Sequence, residues 1–357
     1  MKSKKILKQK KKVLVALSGG IDSAVSAALL LQQGYIVEAG FMKNWSSTEG
    51  LLRNECPWLD DRREALKVAA SLNIPLHTFD FEKQYQEKVM QYFFKEYKAG
   101  RTPNPDVMCN KEIKFKLLYD KVINTGFDYI ATGHYAQIKN NKLIRSTDEF
   151  KDQTYFIYNL KKEQLKHILF PIGDLKKTKV RQLAKKIHLP NADRKESMGL
   201  CFVGKIRLDQ FLSQKLKPKQ GNIVDTKGNV IGTHKGTSFY TLGQRQGLGI
   251  GGTGGPYYIA KKDVKKNLLV VTEDPHDKLL EFKEIHVSEI NWIDIPKKYP
   301  IVCKGRFRHQ QALQELNLHK EKTGYIVRFK KPQFAIASGQ SLVLYKGKEC
   351  LGGGVII

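Results

Sequence analysis

Cysteine is scarce in this chain: five residues in 357, at positions 56, 109, 201, 303 and 350. The number is odd and no pair has Cys-x-x-Cys spacing, which argues against a disulfide framework, a zinc site or an iron–sulfur cluster. Long apolar runs are missing as well, and none approaches the ~20 residues that span a bilayer. The cationic N-terminus leads into an apolar run that stops after five residues at Ser18-Gly19-Gly20, too short for a signal peptide. It also lacks the arginine and amphipathic length of a transit peptide. A cytoplasmic protein with reduced thiols and no membrane contact is expected.

Acid is the third shortage. Asp and Glu total 35 against 62 Lys and Arg, a net charge of +27. A lysine-rich solvated surface explains part of this, but the distribution points to a polyanionic partner. Seven lysines fall within residues 1–12 without an acid, and nine basic residues between Lys161 and Lys186 face only Glu163 and Asp174. A third cluster, Lys297, Lys298, Lys304, Arg306 and Arg308, encloses Tyr299 and Phe307. Basic clusters along the whole length suit a folded nucleic acid better than a small metabolite. The charge leaves no obvious apolar interface, so a monomer is expected.

The first ~200 residues alternate between strand and helix patterns, which argues a doubly wound parallel sheet. Strands are expected at 13–17, 36–42, 76–79 and 128–132, and helices at 24–33, 60–72, 85–97, 111–124 and 175–187. From about residue 206 glycine becomes frequent and short β-type runs follow, among them 221–224, 230–232, 239–242, 257–260 and 268–271. Further runs at 301–307, 325–329, 335–337 and 341–345 suggest a compact barrel or sandwich. The expected fold class is therefore α/β, with domains at 1–205 (nucleotide-binding), 206–274 (small, β-rich) and 275–357 (β-barrel).

The most informative segment is Val13-Leu-Val-Ala-Leu-Ser-Gly-Gly-Ile-Asp-Ser23. An apolar strand runs into a Gly-Gly turn and then an Ala/Leu-rich helix. Such a turn lets backbone approach a phosphate while the new helix aims its N–H groups at it. The segment lacks the Lys-Ser/Thr ending of a Walker loop and the spacing of a dinucleotide fingerprint. It resembles the pyrophosphate-binding loop of PP-loop ATPases, which split ATP into AMP and pyrophosphate.

Three further segments carry candidate chemistry. In Pro103-Asn-Pro-Asp-Val-Met-Cys109-Asn-Lys111, two prolines stiffen a loop before a helix expected to begin near Asn110. Cys109 would then sit at a helix N-terminus beside Lys111 and Lys114, which favour its thiolate, with Asp106 placed as a base. Cys201 lies between two glycines in Gly199-Leu-Cys-Phe-Val-Gly204. Thr132-Gly-His-Tyr-Ala136 follows a parallel strand at its carboxyl end, where ligands bind in open α/β sheets. The flanking turn residues argue against core burial of Cys109 and Cys201, whereas Cys56, Cys303 and Cys350 read as small buried hydrophobes.

These segments, together with Lys151-Asp-Gln-Thr-Tyr155, Tyr240-Thr-Leu-Gly-Gln-Arg245 and Ala337-Ser-Gly-Gln340, occur in one order. In that combination the chain resembles the tRNA-specific 2-thiouridylases from about Val13 to its end. The resemblance implies ATP-dependent 2-thiolation of the wobble uridine of tRNAs for Lys, Glu and Gln, through a uridine adenylated at O2. Ala16, Leu17, Ser18, Gly19, Gly20, Ile21, Asp22 and Ser23 would hold the ATP phosphates, with Asp22 near magnesium, while Met42 and Gly133 touch adenine and ribose. Cys201 would carry a persulfide delivered by a cysteine desulfurase or a relay protein, Cys109 would be its nucleophilic partner, and Asp106 the general base. The persulfide sulfur attacks directly or leaves as hydrosulfide, and a Cys109–Cys201 disulfide can result. Asn104, Pro105 and Asp106 would surround the target base. His134, Lys151, Asp152, Gln153, Arg306, Phe307 and Gln340 match positions that touch tRNA, and the two β-rich domains would share that surface. Glu196, Met198 and Lys205 depart from the commonest bacterial pattern around the second cysteine, and Gln246 replaces a usual His. Two rivals are an AMP-forming amide or amidine ligase and a non-catalytic tRNA-binding protein.

Overall fold

A computed structural model describes residues 10–47, 57–195, 208–251, 255–288 and 290–357. Cys56, Cys201, Glu196, Met198 and Lys205 lie outside the described residues.

The first sheet contains β1 (Lys12–Ala16), β2 (Ile36–Lys43), β3 (Leu76–Asp80), β4 (Tyr129–Thr132) and the short β7 (Ile168–Leu169), in the order β3-β2-β1-β4-β7. Every neighbouring pair in it is parallel. The β1 side chains alternate between two cores: Val13 and Val15 join one, Leu14 and Ala16 the other. This two-sided burial explains why β1 reads as an unbroken apolar run. One face is covered by α1 (Ile21–Gln32), α2 (Pro57–Ser71) and α7 (Lys177–Lys186), which bury Val25, Val68 and Val180 with Val13.

The opposite face carries α3 (Glu82–Tyr85), continued by a π-helical turn, Gln86–Met90, into α4 (Gln91–Lys98). Beside it α5 (Pro105–Met108) continues through a second π-helical stretch, Cys109–Leu118, into α6 (Tyr119–Ile123). Between β4 and β7 the chain makes a hairpin, β5 (Ala136–Lys139) and β6 (Lys142–Arg145), which leaves the parallel sheet altogether.

After α8 (Leu208–Ser213) comes a four-stranded sheet of β8 (Gly221–Val224), β9 (Val230–His234), β10 (Tyr258–Asp263) and β11 (Leu268–Thr272), ordered β10-β11-β8-β9. The third sheet holds β12 (Glu281–Val287), β13 (Asn291–Trp292), β14 (Ile301–Arg306), β15 (Gln314–Lys320), β16 (Tyr325–Phe334), β17 (Ser341–Lys346) and β18 (Glu349–Val355). Its order β12-β16-β15-β14-β17-β18 closes on itself. Val287 bridges Ile356, and the Ser288 amide donates to the Val355 carbonyl at 2.8 Å. Val287, Leu318, Val327 and Leu342 fill the resulting barrel. The β5–β6 hairpin adds to its outside, Ile144 pairing with Glu349 of β18.

An α/β parallel-sheet unit followed by two β units agrees with expectation. Two expected strands do not form. Residues 239–242 leave a 3₁₀ turn (Thr237–Phe239) and enter a bend at Gly243, whose φ of +76° belongs to no strand. Residues 335–337 form a loop because Ala335 adopts φ +53° once β16 ends at Phe334.

Candidate functional site

Strand order reverses between β1 and β4: the chain runs outward through β2 and β3, then returns to lay β4 on the other side of β1. Ligands of open α/β sheets bind at such a point. Both the Ser18–Ser23 turn and Thr132–Tyr135 lie there. Of residues 16–23, Ser18 is exposed and Gly20 and Asp22 are partly so, while Ala16, Leu17, Gly19, Ile21 and Ser23 are buried. The turn is braced from within. The Ser18 amide donates to Ser23 Oγ at 3.2 Å, and Ser23 Oγ donates to the Gly20 carbonyl at 3.0 Å. At Gly19 φ is +76°, and a Cβ there would stand 2.5 Å from the Asp61 carbonyl oxygen, so only glycine fits. Gly133 is equally constrained, because a Cβ would come within 2.6 Å of the Ser23 amide. The result is a compact backbone cradle at the N-terminus of α1, where orphan N–H groups and the helix dipole favour an anion.

Asp22 in the first turn of α1 holds the polar centre of this cradle. Lys177 Nζ donates to both carboxylate oxygens, at 2.7 and 2.8 Å, and Tyr135 Oη donates to Oδ1 at 2.9 Å. Lys177 begins α7, and its ammonium also lies 5.8 Å from the Tyr135 ring centroid. On the other side Asn191 Nδ2 and Arg194 donate to the Gly19 carbonyl at 2.8 and 2.9 Å, and Arg194 pairs with Asp61. Lys177, Tyr135, Asn191 and Arg194 were not among the expected site residues. Lys177 was legible only as one charge in a basic run.

Cys109 departs from expectation in two ways. Its helix begins four residues earlier than Cys109, because Asn104 caps it by accepting from the Val107 amide at 3.2 Å and Pro105 takes the first helical position. Cys109 therefore sits past the first turn, where the dipole's influence has faded, and it is 0% exposed. Trp45, Tyr85, Phe93 and Tyr155 share its core. Asp106 is partly exposed, one turn before it, and Asn104 and Pro105 precede that turn. Met42, at the end of β2, is buried in the same core.

His134 links the two halves of the site. Its Nδ1 is 2.7 Å from Thr132 Oγ1, and its ring lies 5.8 Å from that of Phe115, six residues beyond Cys109 on the π-helical stretch. At 8% exposure, burial holds its imidazolium well below the usual range, so the ring is neutral.

The expected RNA-contacting residues divide sharply. Lys151, Gln153 and Gln340 are partly exposed, whereas Asp152, Arg306 and Phe307 are buried. Arg306 donates to Asp152 Oδ2 at 2.6 Å, and Arg145 on β6 reaches the same oxygen at 3.3 Å. Asp152 also accepts from the Ser146 amide and Thr154 Oγ1. Arg306 stacks its guanidinium 5.3 Å from the Tyr345 ring centroid. Here the charged side chains are joints between the parallel-sheet unit and the barrel, not surface contacts. Gln340 serves a similar purpose: Nε2 donates to the Thr102 carbonyl at 2.8 Å, and the Thr102 amide donates to the Ser338 carbonyl at 2.8 Å. Thr241 touches the same loop through Thr102 Oγ1 at 3.1 Å. All three sheet units thus brace the segment that leads to Cys109. Cys303 and Cys350 are buried thiols pushed up to about 12 by desolvation, as befits core residues.

Three family models cover the chain: a tRNA methyl transferase HUP domain at residues 11–205, a tRNA methyl transferase PRC-barrel domain at 209–273 and an aminomethyltransferase beta-barrel domain at 282–356. Curated relatives are similar nearly end to end. A tRNA-specific 2-thiouridylase of Bacillus licheniformis is 45% identical over 97% of this chain and 94% of its own length. Its counterpart in Bacillus subtilis is 44% identical over the same shares, and that of Streptococcus pyogenes 43% over 97% and 95%. Among solved structures, a 4-thiouridine synthetase–RNA complex with bound ATP overlaps 57% of this chain and 50% of its own, at 16% identity and a TM-score of 0.34.

Proposed function

The chain belongs to the family of tRNA-specific 2-thiouridylases, and from that membership we propose that it is an ATP-dependent tRNA-uridine 2-sulfurtransferase. The observation that carries this reading is the meeting of two devices on one sheet: the Gly19–Gly20 cradle with Asp22 at the switch point, and the Cys109 helix linked to it through His134 and Phe115. Methyl transfer, which the labels of two family models suggest, needs neither a polyphosphate cradle nor a thiol pair.

The chemistry assigns each part a task. The 2-carbonyl oxygen of uracil is a poor leaving group. Attack by that oxygen on the α-phosphorus of ATP expels pyrophosphate and leaves an AMP ester that departs readily. The α1 N-terminus receives the phosphates, and Lys177 supplies a cation beside them. Asp22 could hold a magnesium ion accompanying ATP only by exchanging it for the Lys177 ammonium, which donates to both of its carboxylate oxygens; bound there, the ion would shield phosphate charge. Met42 and Gly133 line the nucleoside side. Asn104, Pro105 and Asp106 would flank the flipped uridine, with Asp106 taking its N3 proton.

Sulfur then reaches C2 from a persulfide on Cys201, supplied by a cysteine desulfurase or relay protein. In one route its terminal sulfur bonds to C2 as AMP leaves, and the Cys109 thiolate then cleaves the sulfur–sulfur bond to free the thiouridine. In the other, Cys109 attacks first and expels hydrosulfide, which displaces AMP. Both routes end in a Cys109–Cys201 disulfide that an external dithiol must reduce. Wobble-position tRNAs for Lys, Glu and Gln are the expected substrates, and the cytoplasm is the expected place of work.

The deciding experiment incubates the protein with ATP, a desulfurase, cysteine and an unmodified tRNA-Glu transcript, read as retardation on a mercury gel. A retarded band requiring ATP, both cysteines and the wobble uridine is expected. Pyrophosphate release with a small acceptor and no retarded band would move the chain to the amide ligases.

A further inference from the structure

Phe150 is the most exposed large apolar side chain among the described residues, with 84% of its surface open to solvent. A lone exposed phenylalanine is unremarkable on a loose loop. This one stands on a turn fixed from both sides. Asp148 begins the turn, and its Oδ2 accepts the Lys177 backbone amide at 2.9 Å, the same residue whose ammonium holds Asp22. The Asp148 amide donates to buried Ser146 Oγ at 3.1 Å, and Lys151 closes the turn by donating its amide to the Asp148 carbonyl at 3.2 Å. From the barrel side Gln310 Nε2 donates to the Phe150 carbonyl at 3.3 Å, and His309 is 3.1 Å from the Asp152 carbonyl. The ring is therefore displayed by a rigid tip between the phosphate cradle and the barrel.

We propose that Phe150 is a stacking platform for an unpaired nucleobase of the bound RNA, adjoining the catalytic cradle. This rests on the tRNA-sulfurtransferase reading and adds a contact to it. The ring, rather than charge, is what the tip offers. Glu149 beside it opposes Lys151, and the Asp148 carboxylate is engaged with backbone amides, so the turn has no surplus attraction for phosphate. Every base has a π-face, and stacking on an exposed aromatic is how proteins hold single-stranded RNA without reading its sequence. A target uridine that leaves its stack requires neighbouring loop nucleotides to be splayed as well, and those are the bases such a platform suits.

The test is a salt series of binding isotherms for the full chain with an unmodified tRNA-Glu transcript, comparing wild type with Phe150→Ala and Phe150→Trp. Loss of one stacked base predicts about tenfold weaker binding for Phe150→Ala at every salt concentration. The slope of log affinity against log salt should stay unchanged, because no phosphate contact is lost. Phe150→Trp should bind as wild type does, with its added indole emission quenched on saturation. Wild-type affinity in Phe150→Ala, or an indole emission indifferent to tRNA, overturns the platform while leaving the sulfurtransferase reading intact. Failure of the wild type itself to bind the transcript overturns both. A weaker Phe150→Ala with a reduced salt slope would assign the turn to phosphate contact and also overturn the proposal.

Discussion

The proposed phosphate end of the site and the proposed thiol end are built on opposite principles. Ser18 to Ser23 form a local device: six consecutive residues, four internal serine hydrogen bonds and one glycine in the left-handed region make the cradle, and Lys177 and Tyr135 lock Asp22 within it. The thiol end is assembled from far apart. Gln340 and Ser338 hold Thr102, Thr241 touches it from the central sheet, and Arg306 reaches across 154 residues to Asp152. Phosphates have the same shape on every ATP, so a short turn suffices to hold them. A macromolecular substrate presented to a buried thiol needs every layer of the protein in register. The difference teaches that chemistry common to a superfamily is local, while chemistry particular to one substrate is distributed.

The sharpest way to test the contrast is to remove one atom set at each end. Asp22→Asn should lower tRNA-dependent pyrophosphate release by about 10²–10³-fold, the scale of losing a charged group that orients reacting atoms. Cys109→Ser should abolish thiolation on the mercury gel while retaining pyrophosphate release. If Cys109→Ser loses both, the two ends are not separable steps.

Next in size is the long-range joint. Arg306→Met leaves the Asp152 carboxylate buried without its closest cation, and breaking such a pair costs about 3–5 kcal/mol. Denaturant unfolding should show that loss, and the double variant Arg306→Met with Asp152→Asn should recover part of it. Equal instability in single and double variants would mean that packing of the Arg306 stem matters more than charge.

A smaller effect is expected at Lys177. Removing a charge-assisted hydrogen bond in Lys177→Met should cut kcat/KM for ATP roughly 10- to 100-fold, with tRNA affinity unchanged. Lys177→Arg should recover much of it. A matching loss of tRNA affinity would blur the division between the two ends.

Smallest is a pH dependence at the bridge between them. Burial keeps His134 neutral in the folded chain, whereas the unfolded chain takes up a proton below pH ~6.5. The stabilisation is complete above that pH and falls with acid, by at most about 1.4 kcal/mol per unit. His134→Gln should flatten part of the acid limb of a stability–pH curve. His234 and His309, depressed by burial in the same direction, keep the rest.

Legibility followed the same division. The cradle and the parallel strands were readable because β1 buries both faces and the Gly-Gly turn sits between two strong local signals. What escaped was set by contacts remote in sequence. Lys177 looked like one lysine in a basic run, since only the fold brings it to Asp22. Cys109 was expected at an exposed helix start because Asn110 seemed the first helical residue. Asn104 is the better cap, and Pro105 moved the helix back by more than a turn. Asp152, Arg306 and Phe307 were read as facing RNA, and burial of a matched ion pair is invisible to charge counting. The hairpin 136–145 carries alternating residues like any surface strand pair, so its destination in the barrel could not be read from it.

That hairpin has a consequence for how the protein can be taken apart. No single cut in the chain separates the parallel-sheet unit from the barrel, because Ile144 pairs with Glu349 and Lys142 with the same glutamate's carboxylate. A fragment ending after the parallel sheet would carry two strands with an open edge and an Asp152 deprived of Arg306. A barrel expressed alone would bare the flank of β18. The enzyme resists modular dissection: grafting its barrel onto another ATP-cleaving core would require transplanting this chain's residues 136–145 into the recipient as well.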